Sequence, residues 1–209
     1  YDTDRFGNSY GRFIDQQEKA IVREFLGAEN PGKVLDIACG TGRFLEFASH
    51  GIDISPEMIE VSKQKFPSKS LSVADGSATP FDDAFFDAIT AFHLFMHLDN
   101  PTTTAILKEA HRILKPGGHF ILDFPSEKRR KLVNFQSDGW HGNHAITIRS
   151  LITLLTNQWN LMEYRGILGL PVHHFPNKIR PLLVGLDTFL CKSVVKEYSS
   201  YLVFKLEKR

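Results

Sequence analysis

Apolar residues fall at helical spacing over residues 12–26, where Ile14, Ile21, Val22, Phe25 and Leu26 share one face and Gly27 can end the helix. The next apolar run, KVLDI, is too short for a helix and reads as a buried strand. A glycine-rich turn follows it, and a helix after Gly42 is predicted to carry Phe44, Leu45 and Phe47. GIDI reads as a second strand, after which Ser55 as N-cap and Pro56 at the first helical position open a helix. LSVA and FDAITAF supply a third and a fourth strand, Asn100-Pro101 opens a helix that KPGG closes, and HFILDF makes a fifth strand. TIRSLITLLTNQW reads as a helix, LMEYRGI as a strand and SSYLVFKLE as an alternating last strand. Strands alternating with helices predict an α/β fold whose parallel sheet is covered on both faces. A ligand then belongs at the C-terminal ends of the first strands, where the topology switches.

One part of this pattern is crowded. Only 17 positions separate Asp36 from Asp53, and they must hold a turn, a helix, a return loop and the second strand. Ser49 and His50 stand where a buried strand wants apolar residues ahead of Gly51, so a break with a few absent residues is expected between His50 and Gly51.

A length of 209 residues suits a single domain, with residues 1–30 as an N-terminal cap segment and helix, 33–123 as a ligand-binding core and 124–209 as a substrate-side part. The 42% hydrophobic and 23% charged residues describe a globular protein, and a formal net charge of +1 gives no overall pull toward nucleic acid or an anionic membrane. Cys39 and Cys191 are far apart and form no CxxC pair, which argues against a disulfide framework or a thiolate zinc site and for a reducing cytoplasm. No run has the length of a membrane span, and YDTDRFGNSY lacks the order of a signal peptide.

The turn in VLDIACGTGRF narrows the chemistry. A dinucleotide fingerprint would need a third glycine where Leu45 stands, and the Gly-Lys-Ser/Thr of a phosphate loop is absent. Asp36 within the strand suits a cationic group and not a phosphate. Asp53, ending the second strand, suits the two hydroxyls of a ribose. Asp75, ending the third, suits an adenine amino group, with the backbone N–H groups of Gly76 and Ser77 near the ring nitrogens. Acids at three adjacent strand ends describe a nucleoside with a cationic amino-acid tail, as in S-adenosylmethionine.

VLDIACGTGRF, GIDISPEMI, VADGSATPFDDAFFDAITAFHLFMHLDNP and ILKPGGHFIL, taken in order over about residues 33–123, resemble the motifs of class I S-adenosylmethionine-dependent methyltransferases. The resemblance implies a Rossmann-like sheet of seven mostly parallel strands with helices on both faces, the last strand entering antiparallel between the fifth and sixth. It also implies that Asp36, Ala38, Cys39, Gly40 and Gly42 line the methionine moiety and Asp53 the ribose, with Ile54 and Met58 on the adenine and Asp75, Gly76 and Ser77 at its edge. Ala91 and Phe92 then close the pocket beneath the sulfonium, Tyr10 and Arg12 fold over the cofactor or anchor the segment at the surface, and His97 matches a histidine common after the fourth strand, a base or a structural residue. Ala38 departs from the glycine usual there. Cys39 reads as a small turn residue, since nothing beside it would activate a nucleophile.

Methyl transfer asks mainly for alignment and exclusion of water, so the acceptor is not written in these motifs. The fourth strand ends in AFHL and not in the Asn/Asp-Pro-Pro-aromatic motif of enzymes that methylate base amino groups, and neither cysteine follows a proline. A small-molecule acceptor is therefore expected, with no nucleic acid, no membrane span and no metal, in a cytoplasmic monomer or homodimer yielding S-adenosylhomocysteine. A cofactor-binding protein without turnover is the alternative, and a nicotinamide-dependent oxidoreductase a weaker one. EKRRKL reads as a solvated helix start or a contact for an acidic substrate. The histidines of WHGNH and VHHFP share no ligand spacing. An insertion at about 167–198 contains an amphipathic helix with Leu182, Leu183, Leu186, Phe189 and Leu190, which suits a lid, a dimer contact or a packed surface helix.

Overall fold

The computed structural model describes residues 9–27, 32–136, 144–172, 175 and 178–209. Helix α1, Ser9–Leu26, buries Ile14, Ile21, Val22 and Phe25 along one stripe and stops at Gly27, whose φ of +87° lets its N–H reach the Arg23 carbonyl at 3.2 Å. It begins earlier than the spacing predicts and takes in Tyr10 and Arg12.

Seven strands follow: β1 Val34–Ile37, β2 His50–Asp53, β3 Ser70–Val73, β4 Phe86–Ala91, β5 Leu114–Pro125, β6 Trp159–Ile167 and β7 Tyr201–Lys208. Their order in the sheet is β3-β2-β1-β4-β5-β7-β6. The first five are parallel, and β7 pairs antiparallel with both β5 and β6, as the family resemblance implies. Because β7 is interior to the sheet, Leu202, Val203, Phe204 and Leu206 are all buried, and the alternation expected of it is lost.

The helix starts come from local chemistry. Ser55 accepts from the Met58 N–H at the start of α2, Pro56–Lys65, and Asp99 from the Thr102 N–H at the start of α3, Asn100–Ile113. Ser126 caps α4, Glu127–Leu132, and Thr147 and Ser150 form a reciprocal capping box on α5, Ile148–Leu155. Helix α6, Arg180–Lys192, lies in the expected insertion, but Leu182, Leu186 and Phe189 face outward.

Two expectations fail between Asp36 and Asp53. The helix after Gly42 does not form, and residues 40–47 run as successive turns. The break between His50 and Gly51 is also absent, since these residues form one strand paired with Leu35 and Asp36 on one side and Ser70 and Leu71 on the other. The short connection is accommodated by giving up the helix. Leu45 of the turn segment then packs directly over β2, where a Cβ on Gly51 would come within 2.8 Å of Leu45 Cδ2, 2.9 Å of Leu71 Cδ2 and 3.0 Å of Cys39 Sγ. Gly51→Ala is expected to cost about 1–2 kcal/mol through overpacking, read as a lowered denaturation midpoint. An unchanged midpoint would show that the turn segment moves freely over β2.

Candidate functional site

The C-terminal ends of β1, β2 and β4 open into a cavity of about 350 Å³, of the size that small-ligand sites occupy. On one wall lie Asp36, Ala38, Cys39, Gly40, Asp53 and Met58, and on the other Phe92, His93, Leu94 and His97. Asp36 is buried and accepts from Thr90 Oγ1 at 2.7 Å. Burial pushes its pKa up to about 7 against the opposing Thr90 bond. Asp53 accepts the Gly40 N–H at 2.8 Å on one carboxylate oxygen and the Ser55 N–H at 2.9 Å on the other. It thereby ties the first turn to the α2 cap, while each oxygen keeps a further lone pair.

Ala38 has φ +56°, the left-handed region, which accounts for the glycine that the family resemblance leads one to expect there. Gly40 has φ +54°, and a Cβ there would meet nothing within 4 Å, so the cavity wall is open at this point. Burial, then Asp36 and Asp53, push the Cys39 thiol far above its ordinary range, in keeping with an inert turn residue.

Other expected residues lie outside the cavity wall. Gly42 packs against Phe66, whose ring would stand 2.6 Å from an added Cβ. Ile54 is 73% exposed beside Asp53, and Ala91 is buried at the end of β4. Asp75 turns its carboxylate onto the N–H and hydroxyl of Ser77, both at 2.8 Å, and Gly76 packs against Ile37. This local turn joins Asp75 to Ser77. Tyr10 packs on the cluster containing Phe44 and Phe92, and Arg12 is exposed. Of the WHGNH and VHHFP histidines, His144 contacts the Phe95 carbonyl at 3.1 Å, while His141, His173 and His174 lie outside the described residues.

A charged cluster behind the second wall is absent from the sequence reading. His93 has φ +55° and donates its N–H to Asp123 at 2.6 Å, and its ring Nε2 stands 2.9 Å from the Glu18 carboxylate. Glu18 is fully buried and also pairs with Arg43. Burial raises the Glu18 pKa, but His93 and Arg43 outweigh it and hold the group below its ordinary value. Burial opposes the charge on His93 as well, yet Glu18 and Asp123 keep its pKa raised, and burial pushes Asp123 up to about 6. Ligating atoms of Glu18, His93 and Asp123 lie within 4.8 Å of one another, but the Arg43 guanidinium already supplies the positive charge that a cation would bring. The available signal is Glu18 itself, an acid between Ile14 and Val22 in the apolar stripe of α1.

A family described as "Methyltransferase domain" matches residues 35–122. Residues 35–122 are thus similar to the kind of domain that the sequence motifs resemble. A ubiquinone/menaquinone biosynthesis C-methyltransferase UbiE of Geobacter sp. is 36% identical over 125 residues, 52% of each chain. A probable tRNA methyltransferase 9B of Mus musculus is 33% identical over 125 residues, 56% of this chain and 28% of the relative. The chain thus spans about half or less of the length of these curated relatives. A Thermotoga maritima structure, described as an S-adenosylmethionine-dependent methyltransferase and possible histamine N-methyltransferase, has a TM-score of 0.70 at 22% identity, covering 99% of this chain and 98% of that one. The methyltransferase cofactor fits the cavity in its donor chemistry, with two carboxylates at neighbouring strand ends beside an open Gly40 wall.

Glu18→Ala would leave Arg43 and His93 without their shared buried carboxylate and is expected to destabilise the protein by about 3–5 kcal/mol. Chemical denaturation measures this. A loss below about 1 kcal/mol would mean that the cluster does not hold α1 to the sheet.

Proposed function

We propose that the chain methylates a small-molecule acceptor by in-line displacement, acting mainly through binding and alignment. The observation that carries this reading is the two-walled cavity, with Asp36 and Asp53 on one side and Phe92, Leu94 and His97 on the other. S-adenosylmethionine supplies an electrophilic methyl carbon on a cationic sulfur. Asp36 would hold the ammonium of its tail, Asp53 the ribose hydroxyls, and Met58 with the exposed Ile54 the adenine faces. Asp75, Gly76 and Ser77 would meet the adenine edge, and Tyr10 and Arg12 would cover the cofactor from α1. Ala91 and Phe92 would shape the floor, where Phe92 packs against Phe44 with ring centroids 4.3 Å apart and would help to exclude water. His97 would take the proton that an acceptor hydroxyl, amine or activated carbon gives up.

The nicotinamide reading loses support, because the segment after Gly40 is a run of turns and offers no helix N-terminus to a pyrophosphate. Relatives named for quinone biosynthesis and for tRNA point to different acceptors. AFHL at the end of β4 favours the small molecule. No helix among the described residues is long and apolar enough to cross a membrane.

Calorimetry with S-adenosylhomocysteine and NAD, followed by turnover on a panel of metabolites and tRNA, tests the proposal. Binding of S-adenosylhomocysteine alone with turnover on a metabolite is the expected result. Turnover on tRNA alone would overturn the acceptor class, and cofactor binding without any turnover would favour the non-catalytic alternative. Because the ammonium needs Asp36 ionised and its pKa is about 7, affinity for S-adenosylhomocysteine should rise several-fold between about pH 6 and 7.5. Asp36→Asn should weaken binding and flatten that profile, and a profile unchanged in the variant would remove Asp36 from the tail site. His97→Gln should lower kcat by about 10²-fold or more with cofactor affinity intact. Equal turnover at every pH would leave His97 a structural role only.

A further inference from the structure

Ile179, Leu182, Leu186 and Phe189 recur at the spacing of one helical stripe, and all four are exposed, Leu182 at 81% and Phe189 at 68%. Val194, at 97% exposure, and Val195 continue the apolar surface past the end of α6. Lys178, Arg180, Lys192 and Lys196 bracket it, and the one acid within residues 178–196 is Asp187. Asp187 is buried and accepts the Leu170 N–H at 2.6 Å, so its carboxylate faces inward.

A second element of the same character adjoins this one. Helix α4 carries Lys128, Arg129, Arg130 and Lys131, of which Lys128 pairs with Glu197 and Lys131 with Glu127, so the cations outnumber the acids by two, and it runs into Leu132, Val133 and Phe135, each at least half exposed. Both α4 and α6 pack against the turn Lys196–Tyr198, so the two basic and apolar segments share an edge. The formal charge of the whole chain is only +1, which makes this concentration of cations local.

We propose that α4 and α6 together form a docking surface for an anionic lipid bilayer. Exposed leucines, valines and phenylalanines would enter the interfacial zone while the flanking lysines and arginines meet the acidic headgroups. The alternatives match the charge pattern less well. Two copies pairing through this face would set cations against cations. RNA phosphates would satisfy the cations but leave the aliphatic stripe uncovered, since nucleic-acid interfaces are polar. An acidic protein would satisfy the cations too, but a surface of exposed aliphatic side chains bracketed by cations is what the interface of an anionic bilayer takes up.

The test is co-sedimentation of the full chain with vesicles of phosphatidylcholine alone and of phosphatidylcholine with one quarter phosphatidylglycerol. Binding to the anionic vesicles, weakened but not abolished by 0.5 M salt, and little binding to the neutral ones is expected. The double variant L182S/F189S changes only exposed side chains, and retention of the melting temperature would establish its folding. It should reduce partitioning at least tenfold, and Lys131→Glu should reduce it several-fold. No preference for anionic vesicles overturns the proposal, as does equal partitioning by the folded double variant. A wild-type dimer that the double variant converts to monomer, or retention on tRNA, without vesicle binding in either case, would assign the face to another partner and equally overturn it. None of these readouts depends on methyl transfer, so the surface stands or falls apart from the proposed reaction.

Discussion

A single buried carboxylate, that of Glu18, connects parts of this chain that otherwise have little reason to meet. It draws Arg43 from the turn after β1 and His93 from the end of β4 against α1, and His93 in turn holds Asp123 at the end of β5. Removing such charges from water is costly, and only mutual pairing offsets it. The cluster therefore fixes α1 over the C-terminal edge of the sheet with more geometric demand than an apolar contact would impose. The aromatic pair Phe44 and Phe92 lies along the same seam and adds burial to that constraint.

The sheet was legible from local patterns, because β1 and β4 are short apolar runs and α2, α3 and α4 begin at residues whose side chains cap their own helix. Asp36 and Asp53 were legible because an acid at a strand end has few structural uses. The charged cluster was not, since Glu18, His93 and Asp123 are brought together only by the tertiary fold. Asp75 is held more locally than its position at a strand end suggests. Its carboxylate finds a partner two residues along in Ser77, and a short-range hydrogen bond holds it in a local turn. The helix after Gly42 failed because periodicity says nothing about the space a connection has, and here that space is too short for helix and strand together.

Two left-handed residues other than glycine stand where the cavity opens. Ala38, at φ +56°, follows β1 directly, His93, at φ +55°, stands two residues past β4, and they lie on opposite walls. Both backbones are held by neighbours: Cys39 donates to the Ile52 carbonyl at 2.9 Å, and the His93 N–H is fixed by Asp123. Left-handed residues without glycine persist where the surroundings over-determine them, and at this edge the surroundings are the strand ends themselves.

The position of β7 has a consequence for how the chain reaches this state. Strand β6 makes all its sheet pairings to β7, whose first residue, Tyr201, comes well after Ile167 in the sequence. During synthesis β6 must wait for Tyr201–Lys208 to emerge, with its polar backbone unpaired on both edges. The N-terminal strands β1 to β5 form a contiguous parallel block and face no such delay. Assembly is thus divided into an early cofactor-side half and a late hairpin-like closure, with non-local pairing slowing the second step.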